Sequence, residues 1–276
     1  MCGISDHVSP PTAPAGVSLL LGRDHEAYGA HERVSISAHT AATISPGSDV
    51  EFLRQSTAKY DVNEDALLVF EDGRHTVLCV ADAHFGKASS EDLICALANA
   101  LLPVPQNPHE LDDVLRDLAD RRPASRDTSE TTLLICIYDR MFKQAFGVSF
   151  GDSSLVHVVG AGVDGVDGAS SAELMNEKTT GFVSLSNPDS LHPDDARHFA
   201  FSPRAGDLLI AYSDGIDECC YRDPDRSISL DLLAETVRTC GGAPIEVAQA
   251  LTQLALAGVN GHPGGQDNLV LALTRA

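Results

Sequence analysis

Basic residues are scarce in this 276-residue chain: 19 Lys and Arg stand against 40 Asp and Glu, a formal charge of −21. A field of that sign excludes the clustered positive charge with which proteins hold nucleic acid or anionic membrane. It also repels any anionic ligand at long range unless cations or a local basic patch offset it, for which Arg54, Lys59 and Lys87 are the candidates. The seven cysteines lack Cys-x-x-Cys metal spacing and, being odd in number, any obvious disulfide framework. Cys79, Cys95 and Cys136 lie in apolar runs and read as small buried hydrophobes. The adjacent Cys219 and Cys220, which cannot bridge each other without strain, are candidates for redox sensitivity. No run approaches the roughly 20 apolar residues of a membrane span. Met1–His7 carries no basic segment, and Val17–Leu21 is too short for a signal core. The expectation is a cytoplasmic protein with no membrane partner. No internal repeat is present.

What the chain does have is a series of short continuous apolar runs. Ala66–Phe70, Thr76–Ala81, Leu208–Tyr212 and Leu269–Leu273 have the length and composition of buried strands. Val34–Thr43 is expected to be the first strand, Ser45–Ser56 a connecting loop, and Thr131–Val159 a block of strands. Leucines at helical spacing predict a helix capped by Ser89 with Leu93, Leu97 and Leu101 on one stripe. A second opens at Asn107-Pro108 with Leu111, Leu115 and Leu118 inward. Two more are expected near Leu230–Thr239 and Pro244–Ala257. Helix pairs between two strand sets imply an α+β fold, a four-layer α-β-β-α sandwich of two mainly antiparallel sheets flanked by helix pairs. Residues 1–30, rich in Pro, Ser, Gly and Ala, read as an irregular N-terminal arm, and 31–276 as one domain.

Acidic motifs stand at the edges of the apolar runs. Asn63-Glu64-Asp65 precedes the first, Asp82-Ala83-His84-Phe85-Gly86 follows the second, Ser213-Asp214-Gly215 follows the third, and Gln266-Asp267-Asn268 precedes the last. Any one of these is equally an aspartate at a turn or cap. Four together, at the ends of neighbouring strands, would bring several carboxylates into one cleft, where they repel one another unless neutralised. Oxygen-only donors suit Mg²⁺ or Mn²⁺, and shared carboxylates suit two ions roughly 3.5–4 Å apart.

In this order the motifs resemble those of the metal-dependent PPM (type 2C) Ser/Thr protein phosphatases, over about residues 60 to 276. Val80–Gly86 looks like the family's Asp-Gly-His-Gly-Gly segment, Ser129-Glu130-Thr131-Thr132 its Ser-Gly-Thr-Thr, and Phe150-Gly151-Asp152-Ser153 its Gly-Asp-Ser turn. The resemblance implies hydrolysis of phosphoserine and phosphothreonine on proteins, with a cognate kinase as counterpart. It implies that Asp82 bridges two ions, that the Ala83 carbonyl ligates one of them, and that Glu64, Asp214 and Asp267 complete the other's shell. Asp65 would orient the attacking water and His84 would protonate the leaving oxygen, a proton-donor role that suits the histidine side chain. Asp152, with Asp214 and Glu218, matches the place of a weaker third ion. Residues 160–203 correspond to the family's flap beside the site.

Several positions depart from the pattern. The family's phosphate-holding arginine, four residues before the Glu of the first motif, is Tyr60 here, with Lys59 beside it as the substitute substrate-binding residue. Ala83, Phe85 and Glu130 replace glycines. A non-catalytic relative that binds phosphoproteins or a kinase is therefore the main alternative, and a two-metal phosphodiesterase a second. Gly160-Ala161-Gly162-Val163-Asp164-Gly165 fits the dinucleotide fingerprint but is not followed by an apolar helix start, and it reads as a loop.

Overall fold

The computed structural model describes residues 16–57, 59–121, 125–160, 171–184 and 186–276. In chain order the elements begin with β1 (Gly16–Leu21), β2 (Glu32–Ser35), β3 (Thr40–Ser45), α1 (Val50–Leu53), β4 (Asp65–Glu71) and β5 (His75–His84). Next come α2 (Ala88–Ala100), α3 (Pro108–Arg121), β6 (Glu130–Thr131), β7 (Leu133–Asp139), β8 (Gln144–Phe150) and β9 (Ser154–Val159). The last are β10 (Ser171–Leu174), β11 (Val183–Ser184), β12 (Arg197–Phe201), β13 (Leu208–Tyr212), α4 (Leu230–Thr239), α5 (Pro244–Ala257) and β14 (Leu269–Arg275).

Two antiparallel sheets result. One runs β1-β4-β5-β7-β8-β12, with β6 paired to the end of β5 and β11 to β6; the other runs β10-β9-β13-β14-β3-β2. Strand alternation divides each apolar run between two cores. Leu67, Val69, Leu78, Val80, Leu134 and Cys136 meet Leu209, Ala211, Val270 and Ala272 between the sheets. Ala66, Leu68, Val77, Cys79 and Ile135 face outward under Leu93, Leu97, Leu111 and Leu115 of α2 and α3. Ile210, Leu269, Leu271 and Leu273 pack under Leu233, Val237, Val247 and Leu251 of α4 and α5. The arrangement is the expected α+β sandwich with a helix pair over each sheet. Because both faces of each central strand are covered, the runs are continuous in the sequence; each fully buried Leu, Ile or Val contributes about 1.5–3 kcal/mol.

Several expectations change. Residues 16–21 of the expected arm form β1, an edge strand paired to β4 from Gly16↔Glu71 to Leu21↔Ala66; residues 1–15 lie outside the described residues. The single expected strand over Val34–Thr43 is a hairpin, β2 and β3, and the loop after it contains α1. The first long helix starts at Ala88, so Ser89 lies within its first turn. The Ser89 N–H donates to Ser129 Oγ at 3.1 Å, which satisfies the helix start from another part of the chain. Residues 160–203 are not one loop: β10 extends the second sheet, β12 the first, and β11 covers β6. Of the fingerprint at Gly160–Gly165, residues 161–165 lie outside the described residues. Cys219 and Cys220 are both buried, which removes the exposure that redox sensitivity requires. Burial pushes the Cys136 thiol up to about 12. No helix among the described residues is long and apolar enough to cross a membrane.

Candidate active site

Register brings the first two carboxylates together. In the β4–β5 ladder Asp65 is directly opposite Asp82, a like-charge pair that is unfavourable without a cation. Asp214 and Asp267 come from the facing sheet, at the end of β13 and the start of β14. The Asp82 carboxyl lies within hydrogen-bonding reach of Asp214 and Asp65. All four aspartates and Glu64 are buried. The edges of both sheets thus converge on one acidic cluster.

Hydroxyl and amide side chains hold these carboxylates in place. Ser213 Oγ donates to Asp65 Oδ2 at 2.8 Å and accepts from the Val270 N–H at 3.0 Å. The Asp82 N–H donates to Thr132 Oγ1 at 3.0 Å, and Thr132 Oγ1 meets Ser153 Oγ at 2.6 Å. Asn268 Oδ1 accepts from the Glu64 N–H, while its Nδ2 donates to the carbonyls of Pro46 and Val62. Thr132, Ser153, Ser213 and Asn268 were visible in the motifs only as neighbours of acids; their roles depend on contacts across the fold. The Gly-Asp-Ser segment is not a hairpin turn either. Its flanking strands β8 and β9 belong to different sheets, so Gly151–Ser153 is the crossing between them.

Lys59 is the unexpected member. Its Nζ lies 2.9 Å from Asp267 Oδ1, 3.3 Å from Asp82 Oδ1 and 3.5 Å from the Ala83 carbonyl oxygen, and its side chain is 8% exposed. The charge expected to meet substrate phosphate is directed at the carboxylates instead. Burial alone would lower the Lys59 pKa, but Asp267, Asp82, Asp65 and Asp214 outweigh it and hold the ammonium well above the ordinary lysine range. Burial raises Asp65 and Asp214 well above the usual carboxylate range, reinforced in each by Asp82. For Asp82 burial acts in the same direction, yet Lys59 and then His84 hold it below. Lys87 is likewise engaged, 2.7 Å from Glu26, and Arg54 lies over the Tyr28 ring at 6.0 Å.

The Glu218 N–H donates to the Asp214 carbonyl at 2.6 Å, and Asp152 lies near Asp82. Burial raises Asp152 and Glu218, Asp82 adds to the first, and Lys178, which is paired to Asp217 at 3.0 Å, opposes in each. His84 stands half-buried at the end of β5, its ring 5.2 Å edge-on from Phe182. Phe85 follows at φ +63°, a left-handed conformation that costs a bulky residue on the order of 1 kcal/mol or more and that the family's glycine would take freely. Tyr60 stacks edge-on against it at 5.7 Å. On the other rim Tyr221 lies 6.0 Å from Phe52, and the Arg222 guanidinium covers the Phe52 ring at 4.9 Å. A small cavity of about 20 Å³ lined by Phe52, Tyr221, His84, Lys59 and Asp267 lies between the rims.

No family profile matches the sequence, and no curated protein does. Solved structures do match. The PPM Ser-Thr phosphatase MsPP from Mycobacterium smegmatis, in complex with cacodylate, is similar at a TM-score of 0.53 and 17% identity, over 87% of this chain and 99% of that one. The fold is that of the PPM phosphatases. The catalytic domain of the serine threonine protein phosphatase PstP, in complex with two manganese ions, has the same PPM fold at a TM-score of 0.56 and 19% identity, over 89% and 99%. The photosystem II phosphatase PBCP gives 0.58 and 15%, over 95% and 98%.

Whether this version of the PPM fold suits divalent ions can be judged from its own donors. Five buried carboxylates surround one buried ammonium, and Asp65 Oδ1, Asp214 Oδ1, Asp152 Oδ1 and Glu64 Oε2 are buried without a hydrogen-bond partner. Unpaired buried carboxylate oxygens are costly, and a hard cation is the partner that oxygen-only donors fit. The donor set therefore fits Mg²⁺ or Mn²⁺. Among the described residues no three acidic, His or Cys side chains are already arranged as a cation cage; Lys59 stands where they converge.

Proposed function

We propose that this chain is a Mg²⁺- or Mn²⁺-dependent phosphatase that hydrolyses phosphoserine and phosphothreonine in proteins, opposing a cognate Ser/Thr kinase. The observation that carries this reading is the convergence of Asp65, Asp82, Asp214 and Asp267 from both sheets, with unpartnered buried oxygens, in a PPM fold. Of the residues that would hold divalent ions, Asp65, Asp214 and Glu64 offer buried unpartnered oxygens and Asp82 stands within reach of Asp65, Asp214 and Lys59, whereas the Ala83 and Asp267 oxygens already meet the Lys59 ammonium; Asp152 and Glu218 stand on the flank. When bound, such ions supply charge neutralisation at phosphate and an acidified water.

The chain's own groups do the rest. Asp65, fixed by Ser213, is placed to orient an attacking water. His84, beside Asp82 and open at the rim, is placed to give a proton to the departing serine or threonine oxygen. Arg222, which forms no ion pair among the described residues, is the candidate on the rim for receiving phosphate charge now that Lys59 is engaged.

The test is release of phosphate from a phosphothreonine peptide by metal-stripped protein titrated with Mn²⁺ and Mg²⁺. Metal-dependent release is expected. No release despite bound metal would favour the second reading, a phosphoprotein- or kinase-binding module, for which Lys59 among the carboxylates is the specific observation. Activity on a diester alone would select a phosphodiesterase. His84→Ala is expected to lower kcat on the peptide by about 10²–10⁴-fold, the usual worth of a general acid. It should cost far less on para-nitrophenyl phosphate, whose leaving group needs no proton. Equal losses on the two substrates would remove His84 from that role.

A further inference from the structure

The position of Lys59 goes beyond an ion pair. Its ammonium has three N–H donors, and three oxygens from two separate segments surround it: Asp267 Oδ1 at 2.9 Å, Asp82 Oδ1 at 3.3 Å and the Ala83 carbonyl at 3.5 Å. A backbone carbonyl with two carboxylates is the donor set of a hard cation. The segment bearing Lys59 is fastened to the same cluster, since the N–H groups of Tyr60 and Asp61 donate to Glu64 Oε1 at 2.6 and 2.8 Å. The ammonium is thus held over these oxygens by its own backbone, at 8% exposure, rather than resting there from solvent. Oxygens committed to it are not free for a divalent ion, and two cations on the same oxygens would repel at short range. Meanwhile Asp65 Oδ1 and Asp214 Oδ1 are buried and unpartnered.

We propose that Lys59 is a resident cation in place of one divalent ion, so that the chain holds one divalent ion fewer with Lys59 than it would without it. This rests on the metal-dependent reading above. The Ala83 carbonyl, Asp82 Oδ1 and Asp267 Oδ1 take the ammonium, and Asp65, Asp214 and the remaining Asp82 oxygen are left for the divalent ion.

The experiment counts Mn²⁺ on metal-stripped protein by calorimetry and native mass spectrometry, and records the electron paramagnetic resonance of the loaded forms. Native protein, Lys59→Gln and Lys59→Arg are compared, with circular dichroism to verify folding. Lys59→Gln is expected to bind one Mn²⁺ per chain more than native protein, while Lys59→Arg, which keeps the charge, keeps the native count. At Mn²⁺ low enough to leave the weaker flank at Asp152 and Glu218 unfilled, the native spectrum should be that of an isolated Mn²⁺ ion, and that of Lys59→Gln should show exchange coupling between neighbouring ions. Exchange-coupled ions in the native chain at that loading would overturn the proposal without any variant, so its test survives if Lys59→Gln fails to fold. Equal counts in native protein and Lys59→Gln would overturn it while leaving the metal-dependent reading intact. No Mn²⁺ on any of the three would overturn both.

Discussion

Asp82→Asn is expected to abolish Mn²⁺-dependent phosphate release, with a loss on the order of 10³-fold or more in kcat/KM, and to weaken Mn²⁺ binding in calorimetry. The substitution keeps volume and shape, and the backbone contacts that seat the residue do not involve the charge: the N–H at 82 still donates to Thr132 Oγ1 and its carbonyl still accepts from the Thr132 N–H at 2.8 Å. What disappears is the carboxylate that stands within reach of Asp65, Asp214 and Lys59 together. Loss of activity in a folded variant therefore reports the charge. An unchanged Mn²⁺ affinity would mean that the ions are held elsewhere.

Gly215→Ala carries the second large effect, on stability and site together. A Cβ at 215 would lie 1.9 Å from the Asn268 carbonyl oxygen and 2.8 Å from its carbon, a collision between backbones that no rotamer relieves. The neighbour cannot yield cheaply, because Asn268 ties the Pro46, Val62 and Glu64 backbones to the start of β14. Destabilisation on the order of 3 kcal/mol is expected in urea unfolding. Mn²⁺ affinity should fall with it, since Asp214 and Asp267 flank the two colliding groups. Gly73→Ala, at an exposed position with nothing within 4 Å of the added carbon, is the control and should be near neutral. A Gly215→Ala protein as stable as the control would show that the two motif loops are not in tight contact.

Much of this was legible in the chain. The runs at Ala66–Phe70, Thr76–Ala81 and Leu269–Leu273 read as strands because sheets covered on both faces leave no polar alternation to confuse the period. Leu230–Thr239 and Pro244–Ala257 read as helices within their observed bounds. The edge elements were less legible. β1 sits in a Pro- and Ser-rich context and is half-exposed, β10 and β11 are short, and β1 and β11 pair with strands that do not neighbour them in sequence. Ser89 looked like a cap, but the helix start is satisfied by Ser129, 40 residues away. That Phe85 stands in place of a glycine was visible in the motif, but that it keeps the glycine's left-handed backbone was not.

By itself the sequence determined the two-sheet sandwich and which acids stand at strand ends, because burial pattern and motif order are local properties of the chain. Only the tertiary structure decided what neutralises those acids. Lys59 looked available for substrate, because net charge and neighbouring residues carry no direction. Packing the two sheets and tying the Tyr60–Asp61 backbone to Glu64 set its ammonium among Asp82, Asp267 and the Ala83 carbonyl, where short distance and burial make the carboxylates its partners.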